Sequence, residues 1–204
     1  MHPRTSAGNR PVILFDVMGT LVHNPFFKEI PAFFGCTHAE LLQRRDPAVW
    51  MQFEQGEITQ AEYLRRCYNG RSFDTAAFLR CIRDAYSWLS GMEEQTRELH
   101  QLGYEIHAFS NYPEWFRVIE DKLRLSRYLQ WTLVSCKTRV RKPSPEAFSL
   151  ALRTIGRPPA SCFLIDDMIE NCDGARDAGM RAIHFSGALA LRRELVQLGI
   201  LPAA

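Results

Sequence analysis

The stretch PVILFDVMGTLV, residues 11–22, decides the fold. It opens with the apolar run 11–15, which stops abruptly at Asp16, and Gly19 then permits a sharp turn. A parallel strand that is covered on both faces and ends at a functional loop has this pattern. The stretch therefore predicts a fully buried strand with Asp16 at its carboxyl end.

Helix-like and strand-like segments alternate downstream of residue 90. The predicted helices are 91–103, 113–124, one opened by SPEAF at 144–148, 169–178 and 189–198, and the predicted strands are 104–110, 131–135, 162–166 and 181–185. Such alternation implies right-handed crossovers and a parallel sheet with helices on both faces. We therefore expect an α/β fold with a Rossmann-like three-layer core.

The segment 24–89 differs, because it contains no convincing strand and at least three helices. Thr37 with Glu40 and Thr59 with Glu62 have capping-box spacing, and Asp46-Pro47 and Asn69-Gly70 indicate breaks. We interpret this segment as a small all-helical cap inserted after the first strand. The core would then comprise 11–23 and 90–204.

Composition excludes several classes of protein. A formal charge of +2 and 46% hydrophobic residues give little reason to expect nucleic acid or an anionic membrane as partner. No apolar run approaches the ~20 residues that span a bilayer. The six cysteines show neither metal spacing nor a disulfide framework, which favours reduced thiols in a cytoplasmic type of compartment. The basic start, MHPRTSAGNR, is interpreted as a frayed leader, with a trimmed organelle-targeting segment as the alternative.

Four short segments carry chemistry, each at or just beyond the carboxyl end of a predicted strand. They are FDVMGTLV with Asp16, Gly19 and Thr20; FSNYP with Ser110 and Asn111; RKPSPE with Lys142; and IDDMIEN with Asp166, Asp167 and Asn171. Any one of them alone has an ordinary structural explanation as a cap or loop end. The carboxyl ends of parallel strands converge on one crevice, so four such segments predict one site.

In order and spacing these segments resemble the four motifs of the haloacid dehalogenase superfamily. The resemblance implies Mg²⁺ as cofactor and Asp16 as the nucleophile on a phosphate ester, with an aspartyl-phosphate intermediate. Asp16, Asp166 and the backbone carbonyl of Met18 would be the metal ligands. The resemblance also implies that Lys142 balances charge and binds the phosphate. Further phosphate-binding residues would be Ser110, Asn111, Gly19 and Thr20. Asp167 and Asn171 would orient the metal ligands and waters from the outer shell.

Met18 departs from the family pattern. Phosphatases of this family usually carry a second Asp there, which protonates the leaving oxygen and activates water, and a thioether can do neither. Such assistance is worth roughly 10²–10⁴-fold in rate, so activity is expected to be low unless something replaces it. His23 is the nearest titratable candidate. Otherwise the substrate has a good leaving group, or the reaction is not ester hydrolysis.

A longer set of segments resembles a narrower group, the plant-type chloroplast flavin mononucleotide (FMN) hydrolases and their algal and bacterial relatives. These segments are NPFF, VWMQFEQGEI, GRSFD, HAFSNYPEWF and IEDKLRLSRYLQWTLVSC, together with the four motifs. The group also has Val-Met after the nucleophile. The resemblance implies cleavage of FMN to riboflavin, for which Tyr112 and Trp115 are candidate stacking partners of the flavin ring.

Three functions remain open on the sequence. The first is a Mg²⁺-dependent phosphomonoester hydrolase acting on a small phosphorylated metabolite. The second is a catalytically weakened domain that binds a phosphorylated ligand or partner protein, which Met18 favours. The third is a metal-independent haloacid dehalogenase, which the pair Asp166-Asp167 argues against. We expect a monomer or homodimer, in the cytoplasm or, for a plant or algal source, the chloroplast.

Overall fold

The structure is a computed structural model that describes residues 10–68 and 72–203. Its strands are β1 (Val12–Phe15), β2 (Ile106–Ser110), β3 (Gln130–Val134), β4 (Cys162–Asp166) and β5 (Arg181–His184). They form one sheet in the order β3-β2-β1-β4-β5, and every neighbouring pair is parallel. The strand predicted from the opening stretch is therefore the central one.

Helices fill the connections. Between β1 and β2 lie α1 (Glu29–Phe33), α2 (His38–Arg44), α3 (Pro47–Glu54), α4 (Gln60–Arg66), α5 (Thr75–Ala85) and α6 (Met92–Gln101). The later helices are α7 (Phe116–Leu123), α8 (Ser135–Thr138), α9 (Pro145–Ile155), α10 (Ile169–Asp177) and α11 (Ala188–Gln197). No helix within the described ranges is long and apolar enough to cross a membrane.

The central strand explains why the core has three layers. All four residues of β1 are fully buried, and they alternate between two separate hydrophobic clusters. Val12 and Leu14 face the layer that contains α9 and α10, whereas Ile13 and Phe15 face the layer that contains α6, α7 and α11. The α/β prediction with a parallel sheet, a Rossmann-like three-layer core and a helical cap is confirmed.

The described part of the inserted segment, 24–68 and 72–89, contains the helices α1 to α5 and no strand of the sheet. The predicted capping signals function as helix starts. Thr37 forms a complete capping box with Glu40, and Thr59 caps α4. At the predicted break Asp46-Pro47, Asp46 caps α3. The predicted break at Asn69-Gly70 and the leader up to residue 9 lie outside the described residues.

Several predicted strand bounds need correction. The strand predicted over 131–135 spans Gln130–Val134, because Ser135 already begins the short helix α8. The strands predicted over 104–110 and 181–185 span Ile106–Ser110 and Arg181–His184. The five helices in the described part of the cap agree with the prediction of at least three. Short helices with few apolar positions give weak periodicity, so their number is hard to read from sequence.

Candidate active site

Three polar residues of the site lie at the carboxyl ends of three adjacent strands, β2, β1 and β4. Asp16 directly follows β1, while Ser110 and Asp166 are the last residues of β2 and β4. Because β1 pairs with both of the other strands, Asp16 lies between the two flanking ends. The predicted convergence of the motifs is what this topology produces.

Lys142 connects two of the carboxylates. Its Nζ lies 3.0 Å from Asp16 Oδ1 and 2.5 Å from Asp166 Oδ2, and the side chain is fully buried. The backbone of Lys142 is fixed by Asn111, whose Nδ2 donates to the Lys142 carbonyl at 2.8 Å and whose Oδ1 accepts from the Lys142 N–H at 2.9 Å. Asn111 therefore positions the lysine.

Negative charge exceeds positive charge at the site. Burial raises the pKa of Asp16 to about 8, and Asp166 and Asp167 add to this while Lys142 opposes it. Burial also disfavours the charged Lys142, but Asp16 and Asp166 outweigh burial and raise the lysine pKa. One ammonium thus faces the carboxylates of Asp16, Asp166 and Asp167, and a further cation would relieve the imbalance.

Asp166 and Asp167 are held differently. Asp166 Oδ1 accepts from Asn171 Nδ2 and from the Met168 N–H, both at 2.9 Å. Asp167 lies against Gly19, where a Cβ would come within 2.3 Å of Asp167 Oδ2. Burial, followed by the neighbouring Asp166, raises the pKa of Asp167. Gly19, at φ +90°, is therefore required both by the turn and by the approach of Asp167.

The arrangement fits a magnesium ion on one observation. Asp16 Oδ2 is buried and has no hydrogen-bond partner among the described residues. A buried polar atom of this kind ordinarily has a partner, so it is available to a cation. No group of three or more His, Cys, Asp and Glu in 10–68 and 72–203 is placed to hold a metal. The predicted ligand set contains only Asp16, Asp166 and a carbonyl, which suits Mg²⁺ because that ion retains waters and phosphate oxygens.

Two hydroxyls at the site also lack partners. Ser110 Oγ and Thr20 Oγ1 are both buried with no hydrogen-bond partner among the described residues. The N–H of Gly19 donates to the Val22 carbonyl at 2.8 Å, so it is not free for a phosphate oxygen in this conformation. Ser110 is thus the better-placed of these groups for phosphate, because it ends a strand beside Asp16.

A cavity of about 210 Å³ lies between this cluster and the helical segment. Seven of the predicted site residues line it: Asp16, Met18, Asn111, Tyr112, Trp115, Asp167 and Asn171. The other predicted site residues are not part of its lining: Gly19, Thr20, Ser110, Lys142 and Asp166. The inserted segment supplies Asn24, Pro25, Phe26, Phe27, Ile30, Arg45, Trp50, Tyr63, Tyr68 and Ile82. The cavity is therefore acidic where the core forms it and largely aromatic where the helices cover it.

The two aromatic residues predicted to bind a flavin are mostly occupied by protein contacts. Trp115 Nε1 donates to Gln60 Oε1 at 2.6 Å, and the ring packs 5.0 Å from that of Phe53. The Tyr112 hydroxyl lies 2.7 Å from that of Tyr86. Both residues are buried although they line the cavity, and stacking of a flavin on them stays a prediction.

Neither Met18 nor His23 supplies an acid to the cavity. Met18 lines it with a nearly buried thioether. His23 is not among the lining residues, and its Nε2 lies 2.9 Å from Glu29 Oε2. The histidine considered as a substitute acid is therefore engaged elsewhere.

Sequence reasoning missed Arg45 and Tyr68 as cavity residues. Both belong to the inserted segment, where no motif marks them, and only the packing of the helices over the sheet shows that they line the cavity. Residues 41–49, LLQRRDPAV, contain no aromatic residue, so the sequence around Arg45 gives no signal of a ligand-facing position.

Comparison with known proteins agrees with this geometry. A model of the haloacid dehalogenase-like hydrolase family matches residues 11–179. The chain belongs to this family. Its membership confirms the predicted superfamily and the prediction that the chain is a hydrolytic enzyme.

Individual members of the haloacid dehalogenase-like family show different degrees of similarity. The flavin mononucleotide hydrolase 1 of Arabidopsis thaliana, named as chloroplastic, is 44% identical over 191 residues, which cover 93% of this chain and 78% of the relative. A family enzyme from Bacteroides thetaiotaomicron, solved with magnesium and inorganic phosphate, has a TM-score of 0.69 at 20% identity and covers 87% of this chain and 95% of its own. The L-2-haloacid dehalogenase from Xanthobacter autotrophicus has a TM-score of 0.63 at 17% identity, and the match covers 95% of this chain and 85% of the dehalogenase. At these identities the two structures establish the shared fold.

Proposed function

We propose that this chain is a Mg²⁺-dependent phosphomonoester hydrolase that uses Asp16 as its nucleophile and FMN as its substrate. The observation that carries the proposal is the buried triad in which Lys142 bridges Asp16 and Asp166 while Asp16 Oδ2 has no hydrogen-bond partner within 10–68 and 72–203. A cation-binding oxygen and a nucleophilic oxygen on one carboxylate are what attack on a phosphoryl group requires.

Each residue has a defined task in this reaction. Asp16 attacks phosphorus, forming an aspartyl-phosphate as the P–O bond to the leaving group breaks; the leaving oxygen takes its proton from solvent water to become the alcohol, and a second water then cleaves the acyl-phosphate. Lys142 neutralises charge on the phosphoryl oxygens, and Ser110 Oγ donates a hydrogen bond to one of them. Asp16, Asp166 and the Met18 carbonyl would hold Mg²⁺, which would neutralise phosphate charge. Asn171 orients Asp166 through its 2.9 Å hydrogen bond.

FMN is proposed from the 44% identical relative together with the aromatic roof of the cavity. The cavity of about 210 Å³ is smaller than the roughly 300–1,000 Å³ of pockets that enclose drug-sized ligands. A flavin therefore enters only when the helical cap, residues 24–89, moves away from the core, 11–23 and 90–204. The relative's compartment is the basis for placing this chain in a chloroplast if its source is a plant or alga, and in the cytoplasm otherwise.

Binding without turnover is the second candidate, and Met18 is the observation that favours it. The residue occupies the cavity wall where an acid is expected, and His23 does not replace it. A domain that captures a phosphorylated ligand would keep the Lys142 triad and need no acid.

The test is phosphate release from a panel of phosphomonoesters that includes FMN, with Mg²⁺ and with EDTA. Asp16→Asn is run beside the wild type, because it keeps the shape of the side chain and removes the nucleophile. Release from FMN that needs both Mg²⁺ and Asp16 supports the proposal. FMN binding without release favours the binding domain, and carbon–halogen cleavage that persists in EDTA favours a dehalogenase.

A further inference from the structure

Arg45 is a cationic side chain in the wall of the cavity. It lies in the turn between α2 and α3 and lines the same cavity as Asp16. Its Nε is buried without an acceptor in the described part of the chain, and no carboxylate oxygen in 10–68 or 72–203 lies within ion-pair distance of its guanidinium. Buried donors without acceptors are rare, so an acceptor from outside the chain is expected here.

The neighbouring arginine shows what an ordinary surface residue does in this segment. Arg44 NH2 lies 3.4 Å from Glu40 Oε1 in an exposed pair one helical turn apart. Arg45 instead places its guanidinium carbon 4.4 Å from the centroid of the Phe26 ring. Stacking on a ring fixes the plane of a guanidinium and leaves its N–H groups at the edge free to donate.

We propose that Arg45 is the specificity-determining residue of this site, and that its guanidinium donates hydrogen bonds to the planar leaving group of the substrate. The inference rests on the proposed function and deepens it. In FMN the receiving atoms are the two carbonyl oxygens of the pyrimidine ring of the isoalloxazine. The ring system then lies beneath the aromatic helices while the phosphate reaches Asp16.

This assignment explains why an otherwise aromatic roof contains a cation. Aromatic walls accept any flat apolar group, whereas a buried donor favours a group that offers an acceptor and rejects one that lacks it. Because Arg45 belongs to the cap and Asp16 to the core, recognition of the leaving group and attack on the phosphate come from different parts of the chain, which the bound substrate joins.

The test compares two substrates on three proteins. The proteins are the wild type, Arg45→Met and the control Arg44→Met, which removes the same charge on the adjacent surface position. The substrates are FMN and phenyl phosphate, whose ring has no acceptor. Arg45→Met is expected to lower kcat/KM for FMN by about 10- to 100-fold, mainly through KM, and to leave phenyl phosphate within about twofold. Arg44→Met should match the wild type on both.

A second measurement distinguishes loss of the Arg45 hydrogen bonds from misfolding of the variant. Arg45→Lys keeps the charge but loses the planar fork, and riboflavin inhibition of phenyl phosphate hydrolysis should weaken in it while inhibition by inorganic phosphate stays unchanged. Equal losses on both substrates, or no loss on FMN, would overturn the role of Arg45 alone. A wild type that releases no phosphate from FMN would instead remove the proposed substrate, and this inference with it.

Discussion

Glu54 and Arg141 form an ion pair that joins the last residue of α3 to the segment immediately before Lys142. The Glu54 carbonyl also accepts a hydrogen bond from Ser135 Oγ, which in turn accepts from the N–H of Tyr112, the residue after Asn111. Glu54 thereby connects the cap to the segment around Arg141, which precedes the lysine, and to the segment around Tyr112, which follows Asn111. We infer that this contact sets the register of the cap on the core.

The pair should matter for stability in a pH-dependent way. Burial raises the pKa of Glu54 even with Arg141 beside it. In Arg141→Met the carboxylate stays buried without its ion-pair partner, which should cost about 2 kcal/mol of unfolding free energy. We expect less than the ~3–5 kcal/mol of a fully buried pair, because 35% of the Arg141 side chain is exposed.

The sign of the pH effect follows from the raised pKa. Above the ordinary glutamate value of 4.5 the unfolded chain ionises Glu54 while the folded chain resists ionisation, so stability falls as pH rises. Denaturant unfolding at pH 5 and pH 8 should show the larger loss at pH 8. Arg65→Met, at an exposed position, is the control, and a loss independent of pH would contradict this account.

Asp16→Asn should abolish phosphate release and yet stabilise the metal-free protein. The folded state keeps a proton on Asp16 up to about pH 8, whereas the unfolded chain loses it near 3.8, so the wild type is progressively destabilised between these values. The amide removes this penalty. Thermal unfolding in EDTA should show a gain of a few degrees at pH 8 that shrinks toward pH 4. Asp173→Asn, on the surface, should show no such gain.

Magnesium binding should release protons. The cation needs an ionised Asp16, whose pKa in the metal-free protein is about 8, so affinity should rise with pH up to that value. Titration calorimetry at pH 7 in two buffers of different ionisation enthalpy should therefore give different apparent heats. Identical heats in the two buffers would show that Asp16 is already ionised. As a control for the site, Asp166→Asn should bind Mg²⁺ far more weakly than the wild type.

Met18→Asp should restore the missing proton transfer. The side chain lines the cavity two residues after the nucleophile, so a carboxylate there can reach the leaving oxygen. We expect kcat for esters with poor leaving groups to rise by about 10²-fold, with little change for phenyl phosphate. Met18→Asn, which cannot transfer a proton, is the matched control. Equal rates in the two variants would mean that proton transfer does not limit turnover.

The core and the acidic end of the site could be predicted from sequence because they depend on local pattern. The run 11–15 is apolar on both faces, and the polar residues directly after it can only lie at a strand end. Parallel topology then brings Asp16, Ser110 and Asp166 together without further information. The third motif also fits, since Lys142 precedes a helix and Asn111 holds its backbone.

The aromatic end could not be predicted in the same way. Whether Arg45 faces a cavity or solvent depends on how α2 and α3 pack against the core, and its neighbour Arg44 has the same chemistry with the opposite outcome. Whether the His23 side chain reaches the cavity likewise depends on its contact with Glu29 in the following helix. Long-range docking of short helices carries no periodic signal in the chain.

The small volume of the cavity has a thermodynamic consequence. If a ligand larger than about 210 Å³ binds, only molecules with an open cap can accept it, so the apparent dissociation constant is the intrinsic one divided by the open fraction. The contact between Glu54 and Arg141 therefore lowers apparent affinity in proportion to how firmly it keeps the cap shut. A weaker contact would trade fold stability for a larger open fraction and thus a lower apparent dissociation constant.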